Sequence, residues 1–167
     1  SKADVLVYGM GEKQVVEIAK VVDRCADDRP AGLKIAALED IPQIAFLANN
    51  PSLLGGDGGR HLLLRSHEEA VKSKRVHAEN FRIIETESNK ICASTIIQPV
   101  GEQYVVVNPP YPPMKSEELD AIYDLPFQYH PHPKYKDKHI PAYEMIRFSV
   151  CMHRGCFGGC SFCTISA

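Results

Sequence analysis

Four of the six cysteines fall in the last 17 residues, at Cys151, Cys156, Cys160 and Cys163. Thiols crowded this closely do not make the dispersed framework of a small disulfide scaffold, which staples distant segments together. They suit a soft metal held by thiolates, and a reducing, cytoplasmic setting in which exposed thiolates persist. Cys25 and Cys92 stand apart from the cluster. Cys92 falls in a β-rich stretch and reads as a small buried thiol.

Within the cluster, Cys156, Cys160 and Cys163 form C-x3-C-x2-C. Three thiolates can hold three irons of a cubane and leave the fourth iron open to a ligand, whereas a four-cysteine cluster has no vacancy and transfers electrons. Gly155, Gly158 and Gly159 let the backbone wrap closely and aim N–H groups at sulfur. Phe162 sets a flat apolar ring beside the last cysteine. Spacing alone leaves a second reading open: Cys151 as a fourth thiolate, or His153 in its place, would complete a structural zinc site.

The rest of the chain reads as α/β. Residues 4–8, DVLVY, make a short strand, and Gly9 and Gly11 permit a tight turn into a helix from Glu12. That strand–turn–helix unit is the repeating element of a doubly wound sheet. Residues 33–48 suggest an extended segment and then a small helical piece. NNPSLLGGDGG at 49–59 is a loop without the Gly-Lys-Ser/Thr of a P-loop. Residues 65–80 predict an exposed helix starting near Ser66 or His67, and its HEEAV lacks the second histidine of a zincin helix. FRIIE, KICASTIIQPV and QYVVVN within 81–107 predict two or three strands, separated by turns at Glu-Ser-Asn-Lys and Val-Gly-Glu. NPPYPP at 108–113 forbids regular structure, and a short acidic helix follows at Ser116–Tyr123. His130 and His132 flank a proline in a connector rich in Pro, His, Tyr and Lys. MIRFSV at 145–150 predicts a strand leading directly into the cysteine loop. Ligands in parallel α/β folds sit beyond the carboxyl ends of strands, so that order matters.

Net charge is -2, with no basic excess to hold a phosphate backbone, so no nucleic-acid partner is indicated. No run of about 20 apolar residues exists to span a bilayer. The opening SKADVLVYG has neither the basic nor the apolar region of a secretory signal, and its lack of an initiator Met suggests a trimmed or internal start.

RGCFGGCSFC resembles the cluster loop of radical S-adenosylmethionine (SAM) enzymes. More narrowly, DVLVYGMGE, NPPYPP, ELDAIYDLPF, HPKY, IPAYEMIRFS and HRGCFGGCSFCTISA resemble the YgiQ-like family of radical SAM proteins. The resemblance implies a [4Fe–4S] cluster held by Cys156, Cys160 and Cys163, with the amine and carboxylate of SAM on the open iron. Phe162 then matches the aromatic position near the adenine. An electron from the reduced cluster would cleave the sulfonium bond, and the resulting 5'-deoxyadenosyl radical would take hydrogen from a substrate, here unknown. An electron donor is implied as a partner.

The same resemblance divides the chain into three. Residues 1–29 would be the last strand–helix part of a Rossmann-like domain, without the D-x-H-x-x-G motif of cobalamin binding. Residues 30–140 would be an α/β connecting region with a proline-rich linker, and 141–167 the first strand and cluster loop of a truncated radical SAM barrel. Most of the barrel would lie outside these residues, so the segment alone is expected to be inactive, with its cluster loop empty. The alternative is a small binding or interaction protein with a structural zinc on Cys151, Cys156, Cys160 and Cys163.

Overall fold

The computed structural model describes residues 3–25, 38–49, 61–136, 138–160 and 162–163. They fall into two compact units, Ser1–Pro112 and Pro113–Ala167. The glycine-rich stretch 50–59 and the side chain of Cys25 lie outside the described residues.

The expected α/β character is present in the first unit. β1 (Val5–Val7), β2 (Ile44–Ala48), β3 (His61–Leu63), β4 (Thr95–Val100) and β5 (Gln103–Val107) form one sheet in the order β1-β2-β5-β4-β3. Three of its pairings are antiparallel, and only β3 and β4 run parallel. A parallel pair needs a crossover of a dozen or more residues, supplied here by α2 (His67–Lys72) and α3 (Lys74–Ser88). The strand–turn–helix unit at the start is also found, as β1 followed by α1 (Glu12–Cys25). Its setting differs from that of a Rossmann-like unit. β1 is an edge strand antiparallel to β2, and β1 from residues 1–29 shares a sheet with β2 from residues 30–140.

Packing separates what periodicity left ambiguous. Residues 44–48 are a strand, not a helical piece: Ile44, Phe46 and Ala48 alternate onto the buried face, and a short apolar run cannot be told from a helix by pattern alone. The reverse holds for FRIIE, which belongs to α3 rather than to a strand. Its inward positions Val76, Asn80, Ile83 and Glu87 recur at spacings of three and four, one face of a helix. α1 turns Gln14, Ile18 and Val21 inward and leaves Val15, Val16 and Val22 exposed. Gln14 is fully buried, and neither of its amide atoms has a hydrogen-bond partner among the described residues. Cys92 is exposed just before β4, where no neighbouring strand pairs with it, and is not the buried strand thiol the sequence suggested.

The turn between β1 and α1 is fastened by side chains. Gly9 has φ +66, and a Cβ there would come within 2.8 Å of Gln43 Nε2. Only glycine combines that backbone with that approach. Gln43 Nε2 donates to the carbonyls of Tyr8 at 2.6 Å and Met10 at 2.9 Å, while its Oε1 accepts from the Tyr111 N–H at 3.3 Å. Asn108 begins NPPYPP, and its Nδ2 donates to the carbonyls of Glu39 and Ile41 at 2.6 and 2.8 Å. The Tyr8 hydroxyl donates to the Asn108 carbonyl, and burial pushes its pKa up to about 12, so it remains a proton donor. Pro109 has no N–H to give, yet its carbonyl accepts from the Gln43 N–H at 2.8 Å. Two buried amides thus bind the proline segment and the glycine turn to one end of β2.

Ser66 caps α2 in a capping box with Glu69, as the sequence places it, and Ser73 then divides the expected helix in two. Asn80 of α3 clips the Arg65 backbone with two bonds of 3.0 and 2.9 Å. Glu87, only 3% exposed, accepts from the Lys90 ammonium and from the Ser94 N–H at 2.9 Å. The Lys90 hydrogen bond first, then the Ser94 N–H, hold its carboxyl below the usual range. A carboxylate with a depressed folded pKa stabilises the fold above its unfolded value, about 4.3. That contribution is lost as pH falls through the folded value. Glu87→Gln is therefore expected to melt lower than the parent near neutral pH, with the gap closing as pH drops below about 4. Thermal denaturation of both proteins across that range checks it; a gap independent of pH would show the charge to be irrelevant.

The second unit holds α4 (Ser116–Tyr123), a 3-10 turn (Pro133–Tyr135) and α5 (Pro141–Ile146). α4 has the bounds expected from the sequence, and its Glu118 carboxylate accepts from the Lys115 N–H at 2.8 Å. The strand expected at MIRFSV is overturned. Met145 and Ile146 end α5, which Pro141 starts at a helical first position, and 147–150 form a turn and coil. A β-branched run becomes a strand only where a neighbour completes its ladder, and no described residue pairs with it. No helix among the described residues is long and apolar enough to cross a membrane.

Candidate metal centre

Glycine geometry shapes the cysteine loop. Gly155 at φ +95 and Gly159 at φ +63 take left-handed conformations that other residues rarely adopt. These two turns bring Cys156 and Cys160 around Gly158. A Cβ on Gly158 would lie 3.3 Å from Cys156 Sγ and 3.6 Å from Cys160 Sγ, so both sulfurs crowd the face that glycine leaves open. The Gly158 N–H donates to Cys156 Sγ at 3.3 Å, and the Cys160 thiol lies 3.9 Å from the Gly158 carbonyl. Such N–H···S bonds stabilise a thiolate. The Cys163 N–H donates to the Cys160 carbonyl at 3.0 Å, which closes the C-x2-C turn.

The cysteines differ in setting. Cys156 and Cys160 are exposed and Cys163 is half-buried. Phe162 is 90% exposed and packs on nothing that would identify a ligand. Among the described residues, no group of three or more His, Cys, Asp or Glu converges on a single metal position. The thiol donors are of the type that suits a soft metal, and the sulfurs of Cys156 and Cys160 lie together at Gly158, while Cys163 does not join them in a metal group. Thiolate sites of this kind complete their ordering when metal binds. Cys151 is held apart, its thiol 3.6 Å from the His153 carbonyl. His153 packs edge-on against Phe157 at 5.7 Å. His130 and His132 likewise join no metal group among the described residues.

One contributor carried no signal in the sequence. The Tyr123 hydroxyl, at the end of α4, donates to the Cys151 carbonyl at 3.4 Å, and the Arg154 guanidinium lies over the Tyr123 ring at 5.8 Å. Tyr123 thus touches the start of the loop from 28 residues away, a separation over which no local pattern operates.

Residues 1–149 match the family described as Radical SAM N-terminal. The chain is 52% identical to a UPF0313 protein of Bacteroides thetaiotaomicron, with all of this chain and 27% of the relative aligned. It is 49% identical to a UPF0313 protein of Porphyromonas gingivalis, over 100% of this chain and 25% of that protein. A UPF0313 protein of Geobacter sulfurreducens is 40% identical, over 99% of this chain and 26% of its own length. The chain therefore spans about a quarter of the length of these relatives. No solved structure matches it. The family match ends two residues before Cys151, while the alignments to the first two relatives run over the whole chain, cysteines included. The sequence resemblance thus holds: the chain belongs to the Radical SAM N-terminal family and, with its UPF0313 relatives, to the radical SAM superfamily.

Proposed function

We propose that these residues belong to a radical SAM enzyme whose [4Fe–4S] cluster is held by Cys156, Cys160 and Cys163. The observation that carries the reading is the pair of sulfurs at 3.3 and 3.6 Å from the Cβ position of Gly158, in the first two cysteines of C-x3-C-x2-C. Family membership supplies the context. When bound, such a cluster would supply the electron for reductive cleavage of SAM and so initiate radical chemistry.

This chain's residues have narrower tasks. The cysteines bind. Gly155, Gly158 and Gly159 let the backbone close around the sulfurs, and the Gly158 N–H donates to Cys156 Sγ. Tyr123 and Arg154 fix where the loop departs. Phe162 is the aromatic surface this reading assigns to the adenine. The 151–163 loop then stands at the entry to the catalytic barrel, in a reducing cytoplasm, fed by an external electron donor and acting on a substrate of unassigned class. The alternative is a small binding or interaction protein with a structural zinc on Cys151, Cys156, Cys160 and Cys163; the radical SAM reading gives Cys151 no ligand role.

The test is anaerobic reconstitution with iron and sulfide of a protein that contains this segment within the full length of its relatives. Electron paramagnetic resonance follows, with and without SAM. A reduced cubane signal that changes when SAM is added is expected. Tight binding of one zinc with no cluster formed would overturn the reading.

A further inference from the structure

The second unit contains a cavity of about 380 Å³ that no cysteine lines. Its walls are unusual in kind: Tyr129, Tyr135 and Tyr143, with His130, His132 and Arg147. Pro131, Ile140 and Ile146 complete an apolar part of the wall, so the cavity offers flat π faces and ring nitrogens beside an aliphatic patch. Its volume falls within the usual range for small-molecule sites, about 300–1,000 Å³.

Two features show that the walls are built. Tyr129 adopts φ +55, a left-handed backbone that a tyrosine takes only when its surroundings impose it. The Tyr143 hydroxyl donates to the Tyr129 carbonyl at 3.2 Å and so holds that conformation from α5. His132 Nδ1 accepts from the Lys134 N–H at 3.2 Å, which orients its ring and leaves Nε2 as a donor in the neutral form.

Cations lie beside one wall: Lys134 and Lys138 do not line the cavity but sit 4.9 and 5.9 Å from the centroid of the Tyr135 ring, which does. Lys136 adds a third ammonium in the same stretch, against the one acid Asp137. Arg147 on the wall is shared with Glu144 at 3.2 Å. The whole-chain charge of -2 concealed this concentration. Aromatic faces with lysines beside them match a ligand with a planar heterocycle and a phosphate, because rings stack on rings and phosphates follow cations.

We propose that this cavity binds a nucleotide, free or as one unit of a single strand, with the heterocycle among the tyrosine and histidine rings and the phosphate at Arg147 or at the lysines beside Tyr135. The proposal does not rest on the cluster, and it can be tested on cluster-free protein. Isothermal titration of the chain with adenosine 5'-monophosphate, adenosine and inorganic phosphate is paired with anisotropy of a short fluorescein-labelled single-stranded RNA. The monophosphate is expected to bind more tightly than adenosine or phosphate alone. The exposed pair Lys134→Gln/Lys138→Gln should weaken it about tenfold and flatten its salt dependence. Tyr135→Leu should weaken it about tenfold by removing a stacking face. Circular dichroism on each variant separates lost binding from lost folding. Equal affinity for monophosphate and RNA assigns the site to the free nucleotide; much tighter RNA assigns it to a strand. The proposal falls if neither probe binds, if phosphate binds as well as the monophosphate, or if the folded lysine and tyrosine variants bind like the parent.

Discussion

A full-length protein carrying Cys160→Ala is expected to load no [4Fe–4S] cluster, and Cys156→Ala and Cys163→Ala to behave the same way. A cubane held by three thiolates has no spare protein ligand. With one removed, two irons rather than one lack a cysteine, and the cluster does not survive reduction. Cys151→Ala should keep its cluster, because that cysteine lies outside the C-x3-C-x2-C set. Iron and sulfide content, with the reduced paramagnetic signal, reads all four variants. Loss in Cys151→Ala to the same degree as in the others would return the site to a four-thiolate metal. Gly158→Ala is the subtler case. Its methyl would sit 3.3 and 3.6 Å from two sulfurs, so the loop must open by a few tenths of an ångström, and lower loading is expected with the ligands all present.

Gln43→Ala should be the most damaging single change in the first unit. One amide serves three backbone groups, the carbonyls of Tyr8 and Met10 and the N–H of Tyr111, and Gln43 is itself buried. Each buried group left without a partner costs about 1–3 kcal/mol. With some water re-entering, a loss of about 3 kcal/mol is expected, or on the order of 10 °C or more in melting temperature for a unit of this size. Two further variants separate the causes. Gln43→Glu keeps the shape but faces two carbonyls with a carboxylate that cannot donate, so it should be at least as unstable as the alanine. Gln43→Gly loses the same bonds but relieves the φ of +62, which costs a side chain about 1–2 kcal/mol, and should lie above the alanine. Thermal denaturation orders the three. If alanine melts with the parent, the amide does not hold the turn.

Much of this protein was legible from its residues. The glycine turn, the start of α1 at Glu12, the cap at Ser66, the bounds of α4 and the hairpin turn at Gly101 follow from local chemistry, which acts within a few residues. The cysteine motif was likewise readable, because ligand type and spacing are written along the chain. What only tertiary structure decided involves contacts between distant residues. Ile44–Ala48 is a strand because β1 and β5 flank it, FRIIE is helical because it completes the crossover between parallel strands, and MIRFSV is no strand where no neighbour pairs with it. The Gln43 and Asn108 latches span from 33 to 69 residues, and Tyr123 reaches Cys151 across 28. The composition of the tyrosine and histidine cavity was legible in the connector at 129–138, and only its closure by α5 residues such as Tyr143 and Arg147 needed the fold. Hydrogen bonds and packing act at a few ångströms in space, and sequence records distance along the chain.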